Sequence, residues 1–176
     1  MRLLVPSDAI RLFNLINDNR EFIGAHLSWV KNMKTLADEE SYVQKRIVGA
    51  NAKTSFEYTI ETLAGDFLGL IGTDPVSEEL WDKGMSIDYE NKIVSFAYFI
   101  DPKFQGNGYI TEALDALIKI ARALGFLKVQ FGIEPENEKS IRVARRAGAV
   151  YNKAADSYIL GLVPAPPTRL VLERDR

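Results

Sequence analysis

Apolar and polar positions change period several times along this chain, and each change marks an element. Arg2 to Val5 is short and apolar and predicts a strand beginning almost at the first residue. Pro6-Ser7-Asp8 then offers a helix cap, and Ile10, Leu12, Phe13 and Ile16 form a helical stripe that Asn17-Asp18-Asn19 ends. From Glu21 to Lys34 the pattern is irregular, with Phe22, Ile23, Leu27, Trp29 and Val30 marking a short helix or a folded loop. Thr35 with Asp38 has the spacing of a capping box, and Leu36, Glu39, Tyr42, Val43 and Ile47 carry a second amphipathic helix to about Ala50.

Beyond this point the period shortens to two. Phe56, Tyr58 and Ile60 alternate with Glu57, Thr59 and Glu61, and after the turn Ala64-Gly65-Asp66 the run Phe67 to Gly72 completes a strand pair. Asp74 to Lys92 is an acidic loop, holding Asp74, Glu78, Glu79, Asp82, Asp88 and Glu90 against Lys83 and Lys92, with a short strand near Met85 to Tyr89. Ile93 to Ile100 is apolar and β-branched enough for a central strand, stopped by Asp101-Pro102. Ala113, Leu114, Leu117, Ile118, Ala121 and Leu124 form the apolar face of a long helix ending at Gly125. Leu127 to Ile133 predicts a strand broken by Pro135, and Asn137 caps a helix with apolar Ile141, Val143, Ala144 and Ala147 that Gly148 closes. Ala149 to Tyr151, Tyr158 to Val163 and, after Pro164-Ala165-Pro166-Pro167, Arg169 to Leu172 predict the last strands. No repeat or linker interrupts the order, so residues 1–176 are expected to form one α/β domain, a central mixed sheet flanked by helices.

Composition narrows the chemistry. With no cysteine and one histidine, His26, disulfide frameworks, thiol nucleophiles and clusters of imidazole ligands are excluded, and no metal site is expected. A net charge of −2, from 22 Lys+Arg and 24 Asp+Glu, supplies no global field for nucleic acid or anionic lipid. No apolar run reaches the ~18 residues of a membrane span. Met1 to Val5 meets Pro6 too soon for a signal-peptide core. A soluble, cytoplasmic protein with no nucleic-acid or membrane partner is the expectation.

The most informative segment is Ile93 to Thr111: a buried strand, Asp101-Pro102, then Gln105-Gly106-Asn107-Gly108-Tyr109-Ile110-Thr111 opening the long helix. Backbone N–H groups at a helix start lack intrahelical acceptors and carry partial positive charge, so a glycine turn there can wrap phosphate oxygens. A Cβ would hold the anion away and oppose positive φ. Such a turn can equally do no more than join strand to helix. A Walker loop would need Gly-Lys-Ser/Thr, which is absent, and a dinucleotide fingerprint would need a third small residue where Thr111 stands.

The run Tyr98-Phe99-Ile100-Asp101-Pro102-Lys103-Phe104-Gln105-Gly106-Asn107-Gly108-Tyr109-Ile110-Thr111-Glu112-Ala113-Leu114 resembles the acetyl-CoA segment of the GNAT N-acetyltransferases, with its Gln/Arg-x-x-Gly-x-Gly/Ala core. Pro135 to Gly148 is similar to the Asn-x-x-Ser helix of the RimJ/RimL-like branch. Two motifs in order, about thirty residues apart, are far more specific than either alone. The resemblance covers Ile93 to Ala149 by motif and Met1 to Gly72 by element order only.

The resemblance implies the GNAT fold and transfer of acetyl from acetyl-CoA to a primary amine, a peptide N-terminus or a small molecule, by direct attack in a ternary complex. The pantetheine arm would pair with the strand end at Tyr98, Phe99 and Ile100 as an added strand. A main-chain N–H near Phe99 or Ile100 would face the thioester oxygen. The diphosphate would rest on amides of Gln105, Gly106, Asn107, Gly108, Tyr109 and Ile110, with the Thr111 hydroxyl beside them, and Asn137 would hold the pantetheine or the neighbouring strand. Ser140 stands where this branch presents a hydroxyl to the CoA sulfur; it can also serve the start of its own helix.

The general base stays open among Glu57, Asp101, Tyr98 through a water, and water itself, and each of the three side chains has a structural reading as well. His26 has the titration range of a base, but a lone histidine in an irregular segment reads first as packing or surface. The acidic loop reads as solvated or as a collector of cationic amines. Ile110 replaces a small residue of the pattern, and Asn152 to Asp156 lacks the Glu-Gly pair that RimL-like chains often carry. These departures keep a second reading in view, an acyl-CoA-binding domain with weak catalysis. The short first strand leaves a sheet edge that a second copy, in a homodimer, would cover.

Overall fold

The capping box forms as the sequence predicts: Asp38 N–H donates to Thr35 Oγ1 (3.3 Å) and Thr35 N–H to the Asp38 carboxylate (2.8 Å), opening a helix over Leu36–Ala52. The structure, a computed structural model, describes residues 1–75 and 86–163. In chain order these hold β1 (Arg2–Leu3), α1 (Asp8–Asp18), α2 (Arg20–Gly24), a 3-10 turn (Ser28–Asn32), α3 (Leu36–Ala52), β2 (Glu57–Glu61), β3 (Phe67–Asp74), β4 (Ile87–Asp88), β5 (Ile93–Ile100), a 3-10 turn (Pro102–Phe104), α4 (Tyr109–Ala123), β6 (Lys128–Phe131), α5 (Glu138–Arg146), β7 (Val150–Asn152) and β8 (Ser157–Gly161). The acidic residues Glu78, Glu79 and Asp82 and the strand expected at Arg169 to Leu172 lie outside the described residues.

Eight strands form one mixed sheet in the order β1-β2-β3-β5-β6-β8-β7, with β4 also on β5. All neighbours are antiparallel except β5 and β6, the pair that α4 connects. Asp74 of β3 pairs with Ser95 and Ile87 of β4 with Val94, so the acidic stretch leaves and rejoins the same edge of β5. One cluster, with Leu114, Leu117, Val129 and Phe131 among its buried members, joins the sheet to α4 and α5. A second, around Leu12, Ile16, Ile23, Val43 and Leu70, joins it to α1, α2 and α3. Among the described residues no helix is long and apolar enough to cross a membrane.

Several boundaries differ from expectation, each for a local reason. The first strand pairs over Arg2–Leu3 only, with one further bond from Leu4 N–H to the Glu57 carbonyl (3.2 Å). Ser7 makes no side-chain cap; Asp8, buried at 1% exposure, instead accepts from Val5 N–H (2.9 Å) and from both terminal nitrogens of Arg2 (2.7 Å each). The buried face of α1 is Ala9, Leu12, Leu15 and Ile16, whereas Ile10 is exposed. Leu124 lies past the end of α4 and is exposed. β6 stops at Phe131 rather than Ile133, and the last two strands start one residue later and one residue earlier than predicted.

β3 lies unusually close to β5. A Cβ on Gly69 would stand 2.1 Å from the Phe99 carbonyl oxygen and 2.8 Å from Ile100 Cα, both backbone atoms that no rotamer change can move. Within the α1–α3 layer, Glu39 has no exposed surface and neither carboxylate oxygen has a hydrogen-bond partner. Burial pushes this carboxyl up to about 7 from an ordinary 4.5, against the opposing charge of Arg20. A carboxyl that holds its proton more tightly when folded gives stability that is fullest below pH 4.5 and falls as pH rises towards 7.

Two outcomes follow. Gly69→Ala lowers stability by roughly 1–3 kcal/mol, read as a lower urea midpoint at unchanged m-value. Glu39→Gln matches the parent at low pH and becomes the more stable of the two as pH rises through 7, read from thermal midpoints across that range.

Candidate active site

The parallel ladder between β5 and β6 spans only Ile93–Ser95 against Lys128–Gln130, while β5 continues to Ile100. On its other edge β5 stays paired with β3, Phe99 opposite Leu70 and Ala97 opposite Gly72, and Asp101 N–H donates to the Leu68 carbonyl (2.8 Å). Antiparallel pairs alternate, so the main-chain groups of Ala97, Phe99 and Asp101 serve β3, and those of Phe96, Tyr98 and Ile100 face the edge β6 has left. The sequence places a free N–H at Phe99 or Ile100. The register removes Phe99 and leaves Ile100 and Tyr98.

The strand runs into the glycine turn through a short 3-10 segment. Asp101, buried, accepts from Lys103 N–H (3.0 Å) and pairs with Lys103 Nζ (3.0 Å), so its carboxylate holds the turn. Gly106 and Gly108 take φ of 80° and 84°, the left-handed region that a side chain disfavours. Among the described residues, the N–H groups from Gly106 to Thr111 donate to no acceptor, giving six successive amides at the start of α4. Asn107 turns outward and donates to the carbonyls of Phe104 (3.1 Å) and Gln105 (3.3 Å). Its side chain therefore fastens the turn. Ile110 packs against the core cluster, so its branched side chain does not stand over the amides.

The opposite wall is α5. Asn137 caps it, its Oδ1 accepting from Ser140 N–H (3.2 Å) and leaving Nδ2 without a hydrogen bond among the described residues. Ser140 Oγ is likewise unengaged, so the hydroxyl does not serve its own helix start. Tyr98 ties the walls together, its hydroxyl donating to the Ser140 carbonyl (3.3 Å), and burial pushes the phenol up to about 12. Lys139 crosses the gap, donating to Gln105 Oε1 (2.6 Å) and standing 5.4 Å over the ring of Phe22 on α2.

These walls enclose a cavity of about 810 Å³. It brings together Tyr98, Phe99, Ile100, Gln105, Gly106, Gly108, Tyr109, Ile110, Thr111, Asn137 and Ser140, and of the cofactor-binding residues singled out from sequence it omits Asn107. A recess of about 80 Å³ continues into the fork of the sheet between Phe96–Tyr98 and Phe131–Glu134, with Asn137 and Ser140 on its wall.

Three features escape the sequence reading. Phe22, Ile23 and Leu27 line the cavity from an irregular segment with no motif, beside His26, which the sequence reads first as packing or surface. Arg142 and Arg146, also lining it, sit four residues apart on one side of α5, a spacing that could have flagged a shared target. Glu134 lines the recess, and its Oε2 lies 3.6 Å from His26 Nδ1. Glu57 and Asp101 line neither space. Glu57 is buried beneath α3, where it accepts from Tyr42 (3.1 Å) and meets Arg46 Nε (3.1 Å); burial pushes its carboxyl up to about 7 against the Arg46 charge.

A family model for the acetyltransferase (GNAT) domain matches residues 1–150. The Bacillus subtilis (strain 168) protein YkkB, described as uncharacterized, is 26% identical over 158 residues, 87% of this chain and 82% of that protein. RimL, a ribosomal L7/L12 alpha-N-protein acetyltransferase solved in complex with coenzyme A, superposes with a TM-score of 0.76 at 20% identity over 92% of each chain. The microcin C7 self immunity acetyltransferase MccE, solved with acetyl-CoA and AMP, gives 0.73 at 20% identity over 90% of this chain and 87% of its own. At these identities the two structures are similar in fold.

The cap and the cavity make separable demands on Asn137. Asn137→Ala costs about 1 kcal/mol through the lost cap, whereas Asn137→Asp keeps the cap and the thermal midpoint but replaces the free amide donor with negative charge. Anion binding in the cavity, measured by calorimetry, falls in both variants.

Proposed function

The chain belongs to the acetyltransferase (GNAT) domain family, and we propose that it moves the acetyl group of acetyl-CoA directly to a primary amine, a peptide N-terminus or a small molecule, within a ternary complex. One observation carries this reading. The bare edge of β5, five residues of the glycine turn with free amides (Gly106, Gly108, Tyr109, Ile110 and Thr111) and the α5 wall share a single cavity, and Tyr98, Asn137 and Ser140 line both it and the recess in the fork of the sheet. That sequence of surfaces matches an extended amide-bearing arm with a diphosphate at one end and a thioester at the other.

Acetyl-CoA supplies the activated thioester. Main-chain groups of Tyr98 and Ile100 pair with the pantetheine amides, and their unpaired edge is what makes the site selective for an arm that can hydrogen-bond like a strand. The amides from Gly106 to Thr111 receive the diphosphate, with the dipole of α4 adding to them. Lys139, Arg142 and Arg146 outnumber the two carboxylates, Glu136 and Glu138, on the same cavity, so the pocket is locally cationic in a chain of net charge −2. The free amide of Asn137 holds the arm near the fork.

At the fork the amine must arrive with its lone pair free, and its nitrogen loses a proton as the C–N bond forms. A main-chain N–H of the β5 edge is placed to receive the charge that develops on the thioester oxygen. Ser140 lines the recess, its hydroxyl makes no hydrogen bond among the described residues, and in this reading it donates to the departing sulfur. No acyl-enzyme is needed, and a chain without cysteine has no thiol to form one.

Acetyl-CoA is expected to raise the thermal midpoint in proportion to the logarithm of its concentration, because only the native state binds it. Release of free thiol in the presence of an amine panel then demonstrates transfer; binding without release with any amine would instead support a CoA-binding domain of weak catalysis. Replacing Arg142 and Arg146 together by Ala weakens acetyl-CoA binding by about 10- to 100-fold, as expected for charge-assisted phosphate contacts, with a smaller loss at high salt. Ser140→Ala lowers kcat while the affinity for acetyl-CoA is kept.

A further inference from the structure

We propose that His26 is the proton acceptor for the attacking amine and that Glu134 positions its ring, a pair assembled across the fork of the sheet from two segments with no shared motif. The inference rests on the acetyl-transfer reading above and names the residue that reading leaves open.

The placement is the first argument. His26 follows α2, in the turn before the 3-10 segment, and its N–H donates to the Ile23 carbonyl (3.3 Å). It lines both the large cavity and the recess in the fork, as do only Leu27, Tyr98, Asn137 and Ser140 besides. The recess is small, about 80 Å³, and Tyr98 of the outer β5 edge, Ser140 and His26 all stand on its wall.

The second argument is the unfilled hydrogen bonding of the ring. His26 Nδ1 is buried with no hydrogen-bond partner, and the nearest carboxylate oxygen, Oε2 of Glu134, stands 3.6 Å away. A buried ring nitrogen without a partner is costly, and the Glu134 carboxylate is the group near enough to close on it. With Nδ1 turned to Glu134, Nε2 is the nitrogen left for a substrate; it makes no hydrogen bond among the described residues. Glu134 is itself held, since its carbonyl accepts from Asn137 N–H (2.9 Å) in the turn that caps α5. Ring orientation by a carboxylate is what a general base requires.

The other candidates are committed elsewhere. Glu57 is enclosed by Tyr42 and Arg46, Asp101 by the turn it holds, and Tyr98 keeps its proton at neutral pH because burial raises it to about 12. The titratable groups that share the two spaces with His26 are Tyr98 and Glu134 in the recess and Glu136, Glu138, Lys139, Arg142, Arg146 and Tyr109 around the larger cavity. Among the described carboxylates Glu134 is the one paired with the ring, its Oε2 3.6 Å from Nδ1.

In the step, the amine nitrogen forms a bond to the thioester carbon and its N–H proton passes to His26 Nε2. The C–S bond breaks as the carbonyl reforms, the thiolate leaves with the electron pair while accepting a hydrogen bond from Ser140, and the proton held by the imidazolium passes through solvent to the thiolate. The products are the N-acetyl amine and free CoA.

Because the chain has one histidine, its ring can be followed by NMR without ambiguity. His26→Gln should keep the thermal stabilisation by acetyl-CoA, lower kcat about 100-fold or more with the best amine, and remove the acidic limb of the kcat/KM profile. Glu134→Gln should lower kcat at unchanged KM for acetyl-CoA and change the Nδ1/Nε2 tautomer ratio of the ring read by NMR, since it removes the acceptor that orients the ring. A His26→Gln protein with unchanged kcat and unchanged profile overturns the assignment and leaves acetyl transfer intact. A tautomer ratio indifferent to Glu134→Gln overturns the pairing. A parent protein that binds acetyl-CoA but releases no thiol with any amine overturns the transfer reading and this inference together.

Discussion

Three residue pairs of parallel ladder, Ile93–Ser95 with Lys128–Gln130, hold the two halves of the sheet together, and then the strands part. A main chain cannot be left with unpaired N–H and C=O groups in a protein interior, so strand edges that diverge must open onto something able to pair with them. Here they open onto a cavity. The divergence is held from both sides: α4 and its core cluster carry β6 away from β5, and the N-terminus of α5 enters the gap, anchored by Asn137 and by Tyr98 against the Ser140 carbonyl. Bare edge, recess and reach of Ser140 all follow from that one separation.

The layer on the other face governs the acceptor side. The capping box starts α3 at a defined residue, which places Tyr42 to stack on Trp29 at 6.2 Å, and Trp29 in turn meets Phe99 at 5.8 Å beneath β5. Those aromatic contacts tie the 3-10 segment, and with it the turn carrying His26 and Leu27, to the strand that presents the bare edge. The Arg2–Asp8 pair, with Glu61 bonded to Arg2 and Arg11, fastens β1 and α1 to β2, so the helical layer is pinned at both its ends. At Gly69 the backbone of β5 leaves no room for a side chain on β3.

Electrostatics works at the same local scale. A chain of net charge −2 gathers five residues with free amides and three side-chain cations around one cavity, because oriented amides cost nothing in formal charge and Lys139, Arg142 and Arg146 fall on one helix. Buried carboxylates are kept out of it. Glu57 is neutralised beneath α3 by Arg46 and Tyr42, and Glu39 is enclosed in the helical layer, so neither opposes an anion in the cleft.

Much of this was legible in the residues alone where the information is local. The capping box, the alternation of β2, the long apolar face of α4 and the glycine turn depend on neighbours within a few positions, and they were read from periodicity and turn chemistry. The glycine turn was legible as a place for free amides at a helix start, and its reading as a cofactor segment came from the resemblance of residues 98–114 to the acetyl-CoA segment of the family. Tertiary structure decided what depends on residues far apart: that Phe99 spends its main chain on β3 while Ile100 does not, that Asn107 holds the turn while Arg142 and Arg146 face the cavity, and that β8 inserts between β6 and β7. It also brought His26 to Glu134, 108 positions along the chain. Periodicity says which face of an element is apolar; the ladder register and the packing of one layer on another set which polar groups then meet, and neither is encoded within any single stretch of sequence.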